Sequence, residues 1–194
     1  METLLSLCIG IGLSAACGFR IFVPLTIVSL AARTGHLTLA PGFDWMSSDA
    51  ALIAFGSATV LEIAAYYVPW LDNLLDSIAT PSAVVAGTIL TASLVSNVDP
   101  FLKWTLAVIA GGAAAGLVQA TTVVARGIST ATTGGLANPV LATAELGGSL
   151  ATSALAIFVP IAAVFLVVGV VGFLGYRAFS RRNPAPPVIP GNVA

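Results

Sequence analysis

The fold class this sequence predicts is an all-α integral membrane protein. Three observations predict it. Hydrophobic residues make up 58% of the 194 positions and charged residues only 8%, whereas a soluble globular domain carries about 25% charged residues. The mean hydropathy is +1.03. Apolar runs of about twenty residues, the length needed to cross a bilayer, alternate with short polar links. Together they predict one membrane domain, 1–176, of about five to six transmembrane or re-entrant helices, then a basic and proline-rich tail, 177–194. A formal net charge of −1 leaves no basic field for nucleic acid.

The start, Met1-Glu2-Thr3-Leu4-Leu5, lacks the Lys or Arg of a secretory signal, so no cleavage is expected. The first apolar run, Thr3 to Ala32, is too long for one simple span. Gly10, Gly12 and Gly18 crowd its first half, and Arg20 and Pro24 interrupt its middle. A steeply tilted helix, a kinked helix and two half-helices all fit. Cys8 and Cys17 have no metal-ligand spacing and read as small apolar fillers. No metal or cofactor is expected.

A linker from Arg33 to Asp49 follows, with the turn pair Pro41-Gly42. Phe43 and Trp45 suit an interfacial aromatic belt. His36, the one histidine, reads as a solvated loop residue. The second span is Ala50 to Val68, closed by Pro69-Trp70. Trp70 to Ile78 reads as a short amphipathic helix, interfacial or re-entrant. Leu71, Leu74, Leu75 and Ile78 share one face, and Asp72, Asn73 and Asp76 the other. A third span, Ser82 to Val95, is short enough to imply re-entry or local thinning.

The fourth span is Phe101 to Ala125, with Lys103 and Trp104 at its near interface. Its small-residue stretch, Gly111 to Gly116, suits close helix packing, and is also a candidate homo-oligomer contact. Arg126 to Pro139 reads as a polar connector. Its segment Thr132 to Asn138 fits either an ordinary loop or a broken helix that ligates an ion. The last apolar run, Val140 to Tyr176, is divided by Pro160. Arg177, Arg181 and Arg182 beside it favour a cytoplasmic C-terminus in the bacterial inner membrane. The proline-rich end is expected to be disordered.

The halves 3–98 and 101–176 can be overlaid loosely. Gly12 to Arg20 falls on Gly111 to Gln119, and the Glu62 segment falls on the Glu145 segment. This fits two inverted three-helix repeats.

Arg20, Glu62 and Glu145 lie within apolar runs. A charge at the bilayer centre costs about 2.5–3.5 kcal/mol on insertion scales. Arg20 therefore needs a carboxylate, from Glu62 or Glu145. The pair is either a static lock or part of an ion-handling site. Tyr66, on the same helical face as Glu62, either donates to it or joins Tyr67 and Trp70 in an aromatic belt; the belt is the favoured reading. No nucleophile–base pair, phosphate loop or metal cluster appears, so no enzyme is expected. Asp72 and Asp76 could form a diacid, but without a further ligand group.

Three stretches carry a family resemblance. They are the glycine-rich run ending in Gly18-Phe19-Arg20 and Val23-Pro24; Glu62 followed by Pro69, Asp72 and Asp76; and Thr133 to Pro139 followed by Glu145. Together they resemble the bacterial membrane family called domain of unknown function 4126, over about residues 3–176. That resemblance implies a fold unit and not an activity. It also implies Asp-Lys where Tyr66-Tyr67 stand and an acid where Leu146 stands, so this member would lack part of a polar network.

Two functions are expected of such a chain. One is a small transporter or channel with a polar site of Arg20, Glu62 and Glu145. Tyr66 stands beside it, Asp72 and Asp76 are at one mouth, and Thr133 and Asn138 are at the other. The alternative is a membrane scaffold or lipid-interacting protein whose buried charges lock the helices. The expected partners are the lipid bilayer, a small ion or solute, and a second copy of the chain.

Overall fold

The computed structural model describes residues 2–182, and within them the side chains of all but 69, 70, 72, 73, 76, 171, 174, 175 and 177–182. Its helices are α1 (Glu2–Cys17), α2 (Phe22–Arg33), α3 (Asp49–Ala65), α4 (Pro69–Leu94), α5 (Pro100–Leu106), α6 (Ala113–Thr133), α7 (Asn138–Phe158) and α8 (Pro160–Arg182). A 3-10 turn, Asp44–Ser47, precedes α3, and a π-helical stretch, Ala107–Gly112, joins α5 to α6. Among the described residues, three helical stretches are long and apolar enough to cross a membrane: Ser77–Leu94, Pro100–Thr133 and Asn138–Phe158. Glu2–Cys17, Phe22–Arg33 and Pro160–Val170 are shorter apolar helices.

The first apolar run resolves into two half-helices. α1 ends at Cys17, and the chain turns through Gly18 to Ile21 before α2. Gly18 permits the turn because a Cβ there would lie 2.5 Å from the Ala115 carbonyl oxygen on α6. α1 runs antiparallel to α4, with Gly10 against Thr91 and the Ser14 hydroxyl donating to Gly87 O at 2.6 Å. After α2, Ala40 N donates to Ser93 O at 2.6 Å. The start of α1 and the exit from α2 therefore share the C-terminal end of α4, and the turn between them lies inside the bundle. α3 returns antiparallel to α2, joined by Thr26–Thr59 hydroxyls at 2.8 Å and by Arg33 to Asp49.

α6 packs antiparallel to α4 through small residues. Gly111 faces Gly87 and Thr91, Gly112 faces Thr88, and Gly116 meets Val84. Close backbone approach is what small residues permit in lipid, where packing drives association. α4 of the same chain covers Gly111 and Gly112, which are buried. α7 passes α1 with Ser149 donating to Ala16 O at 3.0 Å and Ala156 against Gly12. α8 runs in the direction of α1, with Ala163 beside Gly12 and Val167 packed against the cluster of Ala15, Ala114 and Val118. The buried centre holds Leu13, Val28, Met46 and Leu90.

Other expectations are corrected. Trp70–Ile78 and Ser82–Val95 are not separate elements. They form one helix of 26 residues with Pro81 inside it, about 39 Å long. The polar residues lower the hydropathy of its first half without breaking its backbone bonding. The connector from Arg126 to Pro139 is mostly helix, because α6 continues to Thr133. What remains is a tight turn. Gly134 closes α6 in the left-handed conformation at φ 64°, and Gly135 follows at φ 86°. Glycine reaches these angles without a Cβ penalty. Pro160 divides the last run as expected, but α8 reaches Arg182, past the expected tail start at Arg177. The proline-rich end, 183–194, lies outside the described residues.

Candidate functional site: a buried arginine–glutamate cluster

The side chains that the sequence places in oil meet where the α1–α2 turn touches α3, α6 and α7. Arg20 is 1% exposed. Its Nη2 donates to Ala142 O at 2.8 Å and lies 3.5 Å from Glu145 Oε2. Of the two carboxylates expected to pair with Arg20, Glu145 is the one in contact.

Glu62 has a different task. Its Oε1 accepts from Ile21 N at 2.8 Å and its Oε2 from Phe22 N at 3.0 Å. Those N–H groups open α2, and the first four N–H groups of a helix have no partner within it. A carboxylate also complements the positive end of the helix dipole. The two-pronged grip thus replaces the water that a helix start has when it lies at a surface.

Tyr66 is 6% exposed, which corrects the interfacial-belt reading. The Arg20 guanidinium carbon lies 3.9 Å from its ring centroid, and that of Arg126 lies 4.2 Å away. Cations attract a ring face electrostatically, more so when desolvated. Tyr67 is the exposed member of the pair, with its hydroxyl 2.8 Å from the Thr143 hydroxyl.

Arg126 is the residue that sequence reasoning missed. Its stretch of sequence reads as a polar connector, yet it is helical and 2% exposed. Its Nε donates to Glu145 Oε1 at 3.0 Å, and its Nη2 donates to Oε2. Glu145 is therefore shared by two arginines. A signal was present in the sequence: Gln119, Thr122, Arg126 and Ser129 recur at helical spacing and form one buried face.

The remaining expected site residues divide. Asn138 is buried on α7, with its amide nitrogen 3.4 Å from the Thr130 hydroxyl. Thr133 is exposed and serves the turn, donating to Ser129 O at 2.7 Å and accepting from Ala137 N. The side chains of Asp72 and Asp76 lie outside the described residues. His36 is exposed with Nδ1 2.9 Å from the Thr34 hydroxyl, away from the cluster. Both cysteines are free.

With this geometry established, residues 7–180, which contain Arg20, Glu62 and Glu145, match a family model: Domain of unknown function (DUF4126). The chain belongs to this family. No curated protein and no solved structure matches it. As a member of the DUF4126 family it takes its fold unit from a group without an assigned activity. The cluster itself must supply the functional argument.

Proposed function

We propose that this DUF4126 protein is a small transporter or channel of the bacterial inner membrane, with the Arg20–Tyr66–Arg126–Glu145 cluster in its path. One observation carries the reading. Buried polar side chains form a stripe on each of two neighbouring helices, Gln119, Thr122, Arg126 and Ser129 on α6, and Asn138, Glu145, Ser149, Thr152 and Ser153 on α7. Both stripes run from the 134–137 turn toward the middle of the bundle. In lipid, polar residues turned inward mark ion and solute pathways. The α1–α2 pair supports the reading as a re-entrant hairpin, because non-helical backbone at membrane depth is tolerated where protein encloses it. Each half of the chain brings one buried acid, Glu62 and Glu145, as two inverted repeats would. α8 heads toward the 134–137 end, and the arginines near its end support a cytoplasmic position for that side by the positive-inside rule.

The test is flux of protons and small ions in proteoliposomes. Wild type conducts, and Arg20→Gln loses flux while keeping its helical content and elution volume. Absence of wild-type flux would overturn the proposal.

A second reading has its own observation. Glu145 is held by two arginines and Glu62 by two backbone N–H groups, as in a scaffold whose charges lock the helices. Wild type then shows no flux, and Glu145→Gln lowers the thermal midpoint.

A further inference from the structure

The turn that joins α3 to α4 has an inner and an outer face. Its inner residue, Tyr66, is 6% exposed and meets both buried guanidiniums, with the Arg20 carbon 3.9 Å and the Arg126 carbon 4.2 Å from the ring centroid. Its outer residues, Tyr67 and Val68, are 44% and 36% exposed. Swinging the turn outward therefore uncovers little further apolar surface on those two. It also trades a ring face for water around two charges that are costly to bury.

The two ends of this turn are held differently. Upstream, Glu62 pins α3 to the start of α2 through Ile21 N and Phe22 N. Tyr66 N, Tyr67 N and Val68 N then bond back to Glu62 O, Ala64 O and Ala65 O. Downstream, Val68 is extended at φ −104° and ψ 108°, and Pro69 has no N–H with which to tie the turn down. On the outer face one hydrogen bond reaches α7. The Thr143 hydroxyl donates its single hydrogen to Pro139 O at 2.8 Å, so its oxygen accepts from the Tyr67 hydroxyl, also at 2.8 Å. Both partners are exposed, and a solvated bond of this kind contributes little net stability. Thr143 stands between one and two helical turns past Asn138, and Arg126 about two turns before Thr133. The turn thus lies close to the 134–137 end of the bundle.

We propose that the Tyr66–Val68 turn is a lid over the Arg20–Arg126 pair, hinged between Glu62 and Pro69 and latched by the Tyr67–Thr143 hydroxyl bond. Closed, Tyr66 shields both guanidiniums. Open, the lid admits a solute to them from the 134–137 side. Gating of this kind needs a local opening that leaves the rest of the fold intact. The lid rests on the transport reading only for what enters, and its opening can be measured without flux.

The experiment follows the reactivity of the arginines in detergent. Wild type, Tyr67→Phe, Thr143→Val and the double variant are treated with phenylglyoxal, which modifies guanidines, and Arg20 and Arg126 are read by peptide mass spectrometry. Cys17, fully buried, is followed with a maleimide in the same samples as a monitor of general loosening. Tyr67→Phe is expected to speed modification of both arginines about fivefold, the factor that one ordinary hydrogen bond carries. Thr143→Val gives the same gain, the double variant gives no more, and Thr143→Ser, which keeps the hydroxyl, reacts like wild type. Cys17 reacts at one rate throughout. Unchanged arginine rates, a parallel rise at Cys17, or gains that add in the double variant would overturn the proposal. Faster labelling with no flux from any variant in proteoliposomes leaves the lid standing and removes the transport reading. Wild-type flux with labelling indifferent to the latch removes the lid alone.

Discussion

Arg126 on α6 holds Glu145 on α7 through one edge of its guanidinium, Nε to Oε1 at 3.0 Å and Nη2 to Oε2. The bidentate fork fits a carboxylate in a way that a lysine ammonium cannot. The same carboxylate also faces Arg20 at 3.5 Å, so one acid ties the α1–α2 turn to both neighbouring helices.

Breaking this pair from one side leaves a buried charge unmatched. Arg126→Ala and Glu145→Ala are each expected to cost about 3–5 kcal/mol. Arg126→Lys recovers only part of that. Replacing both residues with apolar side chains of similar volume costs less than the sum of the two single changes, because the shared pair is lost only once, while Arg20 still loses its carboxylate. Thermal or denaturant unfolding of all four variants in one detergent checks the order. Additive single losses would contradict the pairing.

The glycines divide by what a methyl group would strike. A Cβ at Gly18 would lie 2.5 Å from Ala115 O, and at Gly111 2.7 Å from Gly87 O, whereas at Gly127 nothing lies within 4 Å. Overpacking costs about 1–3 kcal/mol. Removing an unneeded helical glycine gains up to about 1 kcal/mol. Gly18→Ala and Gly111→Ala should therefore lower the unfolding midpoint, and Gly127→Ala should hold or raise it. Stability assays on the three variants suffice.

The hairpin reading of α1 and α2 predicts a labelling pattern. In a background lacking Cys8 and Cys17, cysteines at Thr3 and Thr34 should react with an impermeant maleimide from the same side of the membrane. A cysteine at Leu136 should react from the other side. Were α1 and α2 one crossing, Thr3 and Thr34 would label from opposite sides.

The turn after α6 depends on backbone angles of φ 64° at Gly134 and φ 86° at Gly135. Gly134→Ala is expected to destabilise by about 1 kcal/mol, with Gly134→Asn milder, since Asn tolerates the left-handed region. The comparison is read from paired unfolding curves.

Much of the fold was legible along the chain because lipid imposes a strict rule. Backbone polar groups must be satisfied within the spanning element, so apolar runs became helices. Breaks at Pro160, and between Cys17 and Phe22, fell where proline or glycine and charge interrupt them. The boundaries that failed were those set by polarity alone. Polar residues after Pro69 and from Arg126 to Thr133 suggested helix ends, yet α4 and α6 run through them. On α6 the polar residues Arg126 and Ser129 that extend the helix are buried against the rest of the protein.

By itself the sequence determined the helical class, the apolar length of its elements and the presence of buried charges that had to find partners. Only the tertiary structure decided which partners. Arg20 found Glu145, Arg126 joined them from a stretch that reads as a link, and Glu62 turned to the backbone of α2. The reason is that insertion cost acts on each residue alone and is visible in one dimension. Pairing depends on which helix faces meet, and glycine contacts far along the chain set those faces.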